Sequence, residues 1–229
     1  MFDTPLFGIT ITLLFYYFAQ EAAKHKPHIH PLLLTVGGII LFLLITGIPY
    51  EAYAKGGEML SFLLGPATVA LAVPIYKHFS SIRKHFLSIL AAITLGHVVG
   101  LLSVFFILFL MNGSREVMLS MLPKSVTTPI SVELSRWLGG IPELAGLFTV
   151  LAGLIGSMVG PVILRRCGIM EDLAIGTAMG TAAHGIGTAR LLQENEMQGS
   201  VGGFAMGVSG IILPLLIAGI FFLRLILKF

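Results

Sequence analysis

The sequence predicts an all-α polytopic membrane protein of about six full spans plus discontinuous or re-entrant helices, with a weak inverted-repeat, transporter-like architecture. Three observations carry this. First, 56% of the 229 residues are hydrophobic and 11% are charged, with a mean hydropathy of +0.96, against roughly 25% charged residues in a soluble domain. Second, the runs 5–22, 31–48, 86–111, 144–164 and 201–227 are continuous and apolar, and a hydrocarbon core about 30 Å thick needs roughly 20 such residues in a helix. Third, three further apolar runs, 60–76, 122–137 and 173–192, are interrupted by proline or glycine. The last two fit either a crossing or a re-entrant course.

The run 5–22 follows Asp3-Thr4-Pro5 without a basic leader, so it reads as a retained span and not as a removable signal. After it, His25, His28 and His30 stand beside Lys24 and Lys26; they read as a solvated basic loop in preference to a metal site. The run 60–76 is broken at Gly65, Pro66 and Pro74. Its small residues serve close helix packing as well as they serve a site, and Thr68 is its ligand-contact candidate. The span 86–111 carries His97 between Gly96 and Gly100, which reads as a packing or partner contact.

Charge gives topology. If 60–76 crosses, Lys24, Lys26, Lys77, Arg83 and Lys84 fall on one side and Lys55 and Arg115 on the other; the positive-inside rule makes the first side cytoplasmic and the N-terminus external. Arg165 and Arg166 join the cytoplasmic side if 122–137 makes no net crossing. The net charge of +3 is scattered over short loops, which argues against nucleic acid. The single cysteine, Cys167, excludes an internal disulfide and reads as an ordinary loop thiol. Residues 1–229 read as one integral membrane domain with possible repeats near 1–115 and 116–229. One repeat signal is Ala72-Val-Pro74-Ile and Thr127-Thr-Pro129-Ile, each followed by charges and then a glycine-containing span (Gly96, Gly100; Gly153, Gly156); a second of comparable quality matches Gly65-Pro-Ala-Thr-Val with Gly180-Thr-Ala-Ala-His.

Two motifs concentrate polar groups inside apolar sequence. In Lys124-Ser125-Val-Thr127-Thr128-Pro129-Ile-Ser131, the proline has no N–H and clashes with the preceding turn. The freed backbone groups need partners within the membrane, and Ser125, Thr127 and Thr128 can serve both the break and a ligand. In Gly176-Thr-Ala-Met-Gly-Thr-Ala-Ala-His184-Gly185-Ile-Gly187-Thr188-Ala-Arg190, glycines disfavour helix and ionisable groups at membrane depth point to function. Arg190 can hold a carboxylate or snorkel to the interface. His184 and Glu133 are the candidates for carrying a coupled proton. His184, Thr188 and Arg190 together favour a small anion. Gly207-Val-Ser209-Gly210 has the look of an intramembrane protease nucleophile, but no second catalytic constellation accompanies it. The chain reads as a non-enzyme without cofactor or metal.

The segments Leu122-Pro-Lys-Ser-Val-Thr-Thr-Pro-Ile130 and Gly180-Thr-Ala-Ala-His-Gly-Ile-Gly-Thr-Ala-Arg190, with Gly65-Pro-Ala-Thr-Val-Ala-Leu-Ala-Val-Pro-Ile-Tyr76 upstream, resemble the LrgB/CidB family of bacterial inner-membrane proteins. The match departs from the family's pattern at Ala183, where serine is common, and at Ser131, where alanine is common. Members are similar to the C-terminal half of the plastidial glycolate/glycerate transporter. The resemblance implies secondary transport of small 2-hydroxy or 2-oxo monocarboxylates of the glycolate, glycerate, lactate or pyruvate class by alternating access. The alternative it implies is a holin/antiholin-like protein that modulates murein hydrolases and autolysis. It also implies a smaller LrgA/CidA-like membrane partner and a homo- or hetero-oligomer in the lipid bilayer.

Overall fold

Apolar runs with no route to water for their backbone groups must close their hydrogen bonds within one segment, and every regular element among the described residues is accordingly a helix. The computed structural model describes residues 4–25 and 30–227, without the side chains of His25 and residues 221–227. Lys26 and His28 of the basic loop, and Lys228, lie outside the described residues. The chain divides into two compact units, 1–72 and 73–229.

The first unit holds α1 (Pro5–His25), α2 (Pro31–Thr46), α3 (Tyr50–Phe62) and α4 (Leu64–Ala70). Helix α1 packs on both α2 and α3. Its approach to α3 depends on two glycines, since a methyl at Gly8 would lie 2.9 Å from the Gly56 Cα. Tyr53 Oη and Thr12 Oγ1, 3.0 Å apart, add a polar tie at the same crossing. At Leu63 and Leu71 the backbone keeps right-handed helical angles. The chain around Gly65 and Pro66 is therefore interrupted but not redirected, and Tyr50–Lys77 remains long and apolar enough to cross a membrane. Thr68 is exposed there, its hydroxyl donating to the Leu64 carbonyl at 2.7 Å.

The second unit begins within α5 (Ala72–Lys77), which contains Pro74, and continues through α6 (Phe79–Lys84), α7 (Phe86–Leu110), α8 (Arg115–Met121), α9 (Thr128–Leu138), α10 (Pro142–Arg166), α11 (Asp172–Glu194) and α12 (Glu196–Leu227). Five described helical stretches are long and apolar enough to span, three of them in α7, α10 and α12. The 16 residues of α2 reach about 24 Å at 1.5 Å per residue, enough for most of the hydrocarbon core. Neither interrupted segment of this unit crosses.

Helix α11 has 23 residues, and at His184 its backbone turns to φ 39°, ψ −132°. A straight helix would separate its ends by about 33 Å, yet Asp172 Oδ1 accepts from Asn195 Nδ2 at 3.2 Å and from Gln198 Nε2 at 2.7 Å. A methyl at Gly187 would lie 3.2 Å from the Met179 carbonyl, eight residues back. The arms 172–183 and 185–194 therefore fold back on each other, and the segment enters and leaves by the same end. Asn195 then caps α12, its Oδ1 accepting from the N–H groups of Met197 and Gln198.

The segment 115–138 does the same from the opposite end. Ser114 caps the seven-residue α8, residues 122–127 form a non-helical tip, and the 11 residues of α9 reach only about 16 Å. The return is fixed where Ile141 N–H donates to Ser120 Oγ at 2.7 Å. Arg165 and Arg166 consequently share an end with Lys77, since Glu194 pairs with Arg165 at 3.7 Å and Glu196 with Lys77 at 2.8 Å. A span followed by a re-entrant hairpin thus occurs twice in opposite senses, as α7 with α8–α9 and as α10 with α11. Those two spans carry the glycine pairs of the sequence repeat.

Candidate site at the hairpin tips

Both tips are seated on the same stretch of α10. Thr149 Oγ1 donates to the Ala145 carbonyl at 2.8 Å and lies 2.7 Å from Ser131 Oγ of α9. One residue's other polar group completes the seat, because the Thr149 carbonyl is 2.9 Å from His184 Nε2. A carbonyl only accepts, so this ring nitrogen carries hydrogen. His184 is 4% exposed, and a methyl at Gly153 would lie 2.7 Å from its Cε1. The histidine is thus bonded and packed as the corner of its hairpin, in a backbone conformation that side chains rarely adopt.

A cavity of about 710 Å³ lies between α7, α11 and the α8–α9 tip. The two long walls run parallel: His85 and Glu171 mark one end, and farther along a methyl at Gly96 would lie 3.4 Å from Thr181 Cγ2. Small residues, Ala92, Gly96 and Gly100 on α7 with Ala174, Ala178 and Ala182 on α11, line both walls and leave the space between them unfilled. From His85 to Gly100 the cavity follows about 22 Å of helix, from the basic end of the unit to mid-depth. Its deep end holds His97, Lys124 and Ser125. Beyond it the way is closed by the buried cluster of Leu101, Leu119, Val126, Leu138, Leu213 and Ile217.

The polar inventory is uneven. Thr177 and Thr181 donate to the Leu173 and Thr177 carbonyls, both at 2.7 Å, leaving only lone pairs for the cavity. His97 is 2% exposed and its Nε2 has no partner among the described groups. Lys124 is half-buried and makes no ion pair among the described residues. The N-terminus of α9, with Thr127 as its cap residue and Thr128 and Pro129 in its first turn, starts four residues beyond Lys124, bringing backbone N–H groups without an intrahelical partner to the tip.

Of the residues expected to bind ligand, the cavity takes Ser125. Thr127 and Thr128 stand at the adjoining helix start. Thr188 is fully buried with Oγ1 unpartnered, beside Gly202 of α12. Arg190 does not line the cavity; it donates to the Ser157 carbonyl and, through Nε, to Glu194 Oε1 at 2.8 Å. Glu133 is exposed and paired with Arg136. Sequence reasoning passed over His97 as a packing contact and did not single out Lys124 as a ligand group. The available signal was a lysine beside Pro123 in the middle of an apolar run. Among the described residues no cluster of His, Cys, Asp or Glu could hold a metal.

Residues 12–223 match the LrgB-like family. The chain belongs to this family. Holin-like protein CidB of Staphylococcus aureus (strain N315) is 34% identical over 218 residues, covering 93% of this chain and 95% of that one. Uncharacterized protein YwbG of Bacillus subtilis (strain 168) is 32% identical over 206 residues, covering 89% and 92%. Holin-like protein CidB of Staphylococcus epidermidis (strain ATCC 12228) is 31% identical over 215 residues, covering 91% and 94%. No solved structure matches the chain. Family membership and the five apolar helices together make this LrgB-like chain a multi-pass membrane protein.

Proposed function

We propose that this chain is a secondary transporter, not an enzyme, of small 2-hydroxy or 2-oxo monocarboxylates in the bacterial cytoplasmic membrane. The observation that carries the reading is the pair of re-entrant hairpins entering from opposite ends and meeting beside a cavity that is closed on one side and holds polar groups at its deep end. Discontinuous helices at mid-depth, in segments of opposite sense, are how transporters place fixed donors where a charged solute must lose its water. Alternating access then follows if the hydrophobic closure at Leu101 and Val126 opens while the basic end shuts. With the basic end cytoplasmic, the N-terminus is external. A smaller LrgA/CidA-like protein is the expected membrane partner.

The likeness to holin-like protein CidB supports a second reading, a holin-like protein that forms or controls a lesion. The two differ in what passes. Purified protein in liposomes, with and without the small partner, is expected to give saturable counterflow of labelled pyruvate that lactate or glycolate competes and that acetamide does not. Unsaturable release of unrelated solutes of similar size would replace the transporter reading with the holin-like one.

A further inference from the structure

We infer that Lys124, at the tip of the α8–α9 hairpin, is the counter-charge of an anion-binding site formed with Ser125 and the start of α9, and that Arg190 is a structural clamp. The inference deepens the proposed function and rests on it for the kind of anion, a small carboxylate.

The argument begins with unspent polar capacity. A charged side chain at membrane depth is expensive unless something compensates it. Arg190 is compensated, by the Ser157 carbonyl and by Glu194, which also reaches Arg165. Its Nη1 joins the outgoing arm of α11 to α10, and its Nε is held by a glutamate of its own helix. Lys124 is different: it lines the cavity and no carboxylate reaches it among the described residues. Glu171, the one acidic residue lining the cavity, stands immediately before the first turn of α11. Thr181, ten residues farther on, is the residue that meets Gly96, so Glu171 stands about 15 Å away along the helix axis. Lys124 belongs to the other level: Val126, two residues on, packs in one cluster with Leu101, one turn beyond His97.

Three neighbours favour an anion there. The α9 N-terminus carries a partial positive charge and unpaired N–H groups. Ser125 Oγ can donate. His97, nearly fully buried with an unpartnered ring nitrogen, lines the same end. A single cation with neutral donors suits a monoanion better than a dianion, whose second charge would have no partner.

The test uses the full chain with Cys167→Ser as background and Ser125→Cys as reporter. The expected result is faster modification of Ser125→Cys by an anionic methanethiosulfonate than by its cationic counterpart, a preference that Lys124→Gln abolishes and Lys124→Arg keeps. In liposomes with the native serine, Lys124→Gln is expected to weaken pyruvate competition about 10- to 150-fold, the range for a lost charged hydrogen bond. Arg190→Gln is expected to lower the melting temperature while the detergent-solubilised protein keeps its anion preference at position 125. An anion preference unchanged by Lys124→Gln, or one lost in a well-folded Arg190→Gln, overturns the inference. If the preference depends on Lys124 but the parent moves no carboxylate, the anion site stands and the transport reading fails.

Discussion

Gly153 shows how much of this molecule is decided by single atoms. The His184 ring occupies the space a side chain would need on α10, and that ring cannot retreat without giving up its bond to Thr149. Gly153→Ala is therefore expected to destabilise the protein by about 1–3 kcal/mol through overpacking, read as a lower melting temperature in detergent. Gly207→Ala, with nothing within 4 Å of the added methyl, is the matched control and is expected to leave stability unchanged or slightly raised. An equal response from both would remove the packing argument. At this scale the sequence was legible only in part. It marked His184, Ser125 and Arg190 as polar groups at depth, because each interrupts an apolar run. It could not say that Arg190 is consumed by a carbonyl 33 residues away and a glutamate four residues on. Nor could it show that Lys124 has no such partners, since satisfaction is a property of tertiary neighbours.

The re-entrant course of α11 is the main result at the level of elements, and it follows from residues the sequence displays. Gly187 lets the second arm approach Ala183 and Met179 of the first, Gly180 seats the first arm against Gly202 of α12, and Asp172 fastens the open ends by accepting from Asn195 and Gln198. In a Cys167→Ser background, Asp172→Cys with Asn195→Cys is expected to cross-link quantitatively with a short bismaleimide. A continuous helix would hold those thiols some 33 Å apart, so failure to cross-link, with both thiols reactive singly, would refute the hairpin. Proline and glycine spacing announced that 122–137 and 173–192 were interrupted. Direction after the interruption was not legible, because a break at Pro129 or Gly185 is compatible with continuing or returning. The loop charges carried the missing hint: Arg165 and Arg166 stay with the other basic residues only if 122–137 does not cross, and the structure has it return.

For the whole molecule, the two returns fix which loops share a face. Cys167 follows Arg165 and Arg166 and is exposed, while Ser114 opens the hairpin of the other end. In oriented vesicles, a membrane-impermeant maleimide is expected to label Cys167 only from the cytoplasmic face. In the Cys167→Ser background it is expected to label Ser114→Cys only from the external face. Labelling of both from one side would contradict the fold of the second unit. Fold class was readable because a chain with 11% charged residues also carries continuous apolar runs long enough to span a bilayer. The cavity was not, since its walls are alanines and glycines that look like packing until two parallel helices leave space between them.

Thr149 serves two masters: its hydroxyl is in contact with the hairpin that descends from one face, and its carbonyl holds the corner of the hairpin that rises from the other. Neither hairpin can shift without disturbing the seat of its twin. In the proposed transporter, such an interlock would keep the two hairpins from loosening together, which a bilayer holding an ion gradient requires.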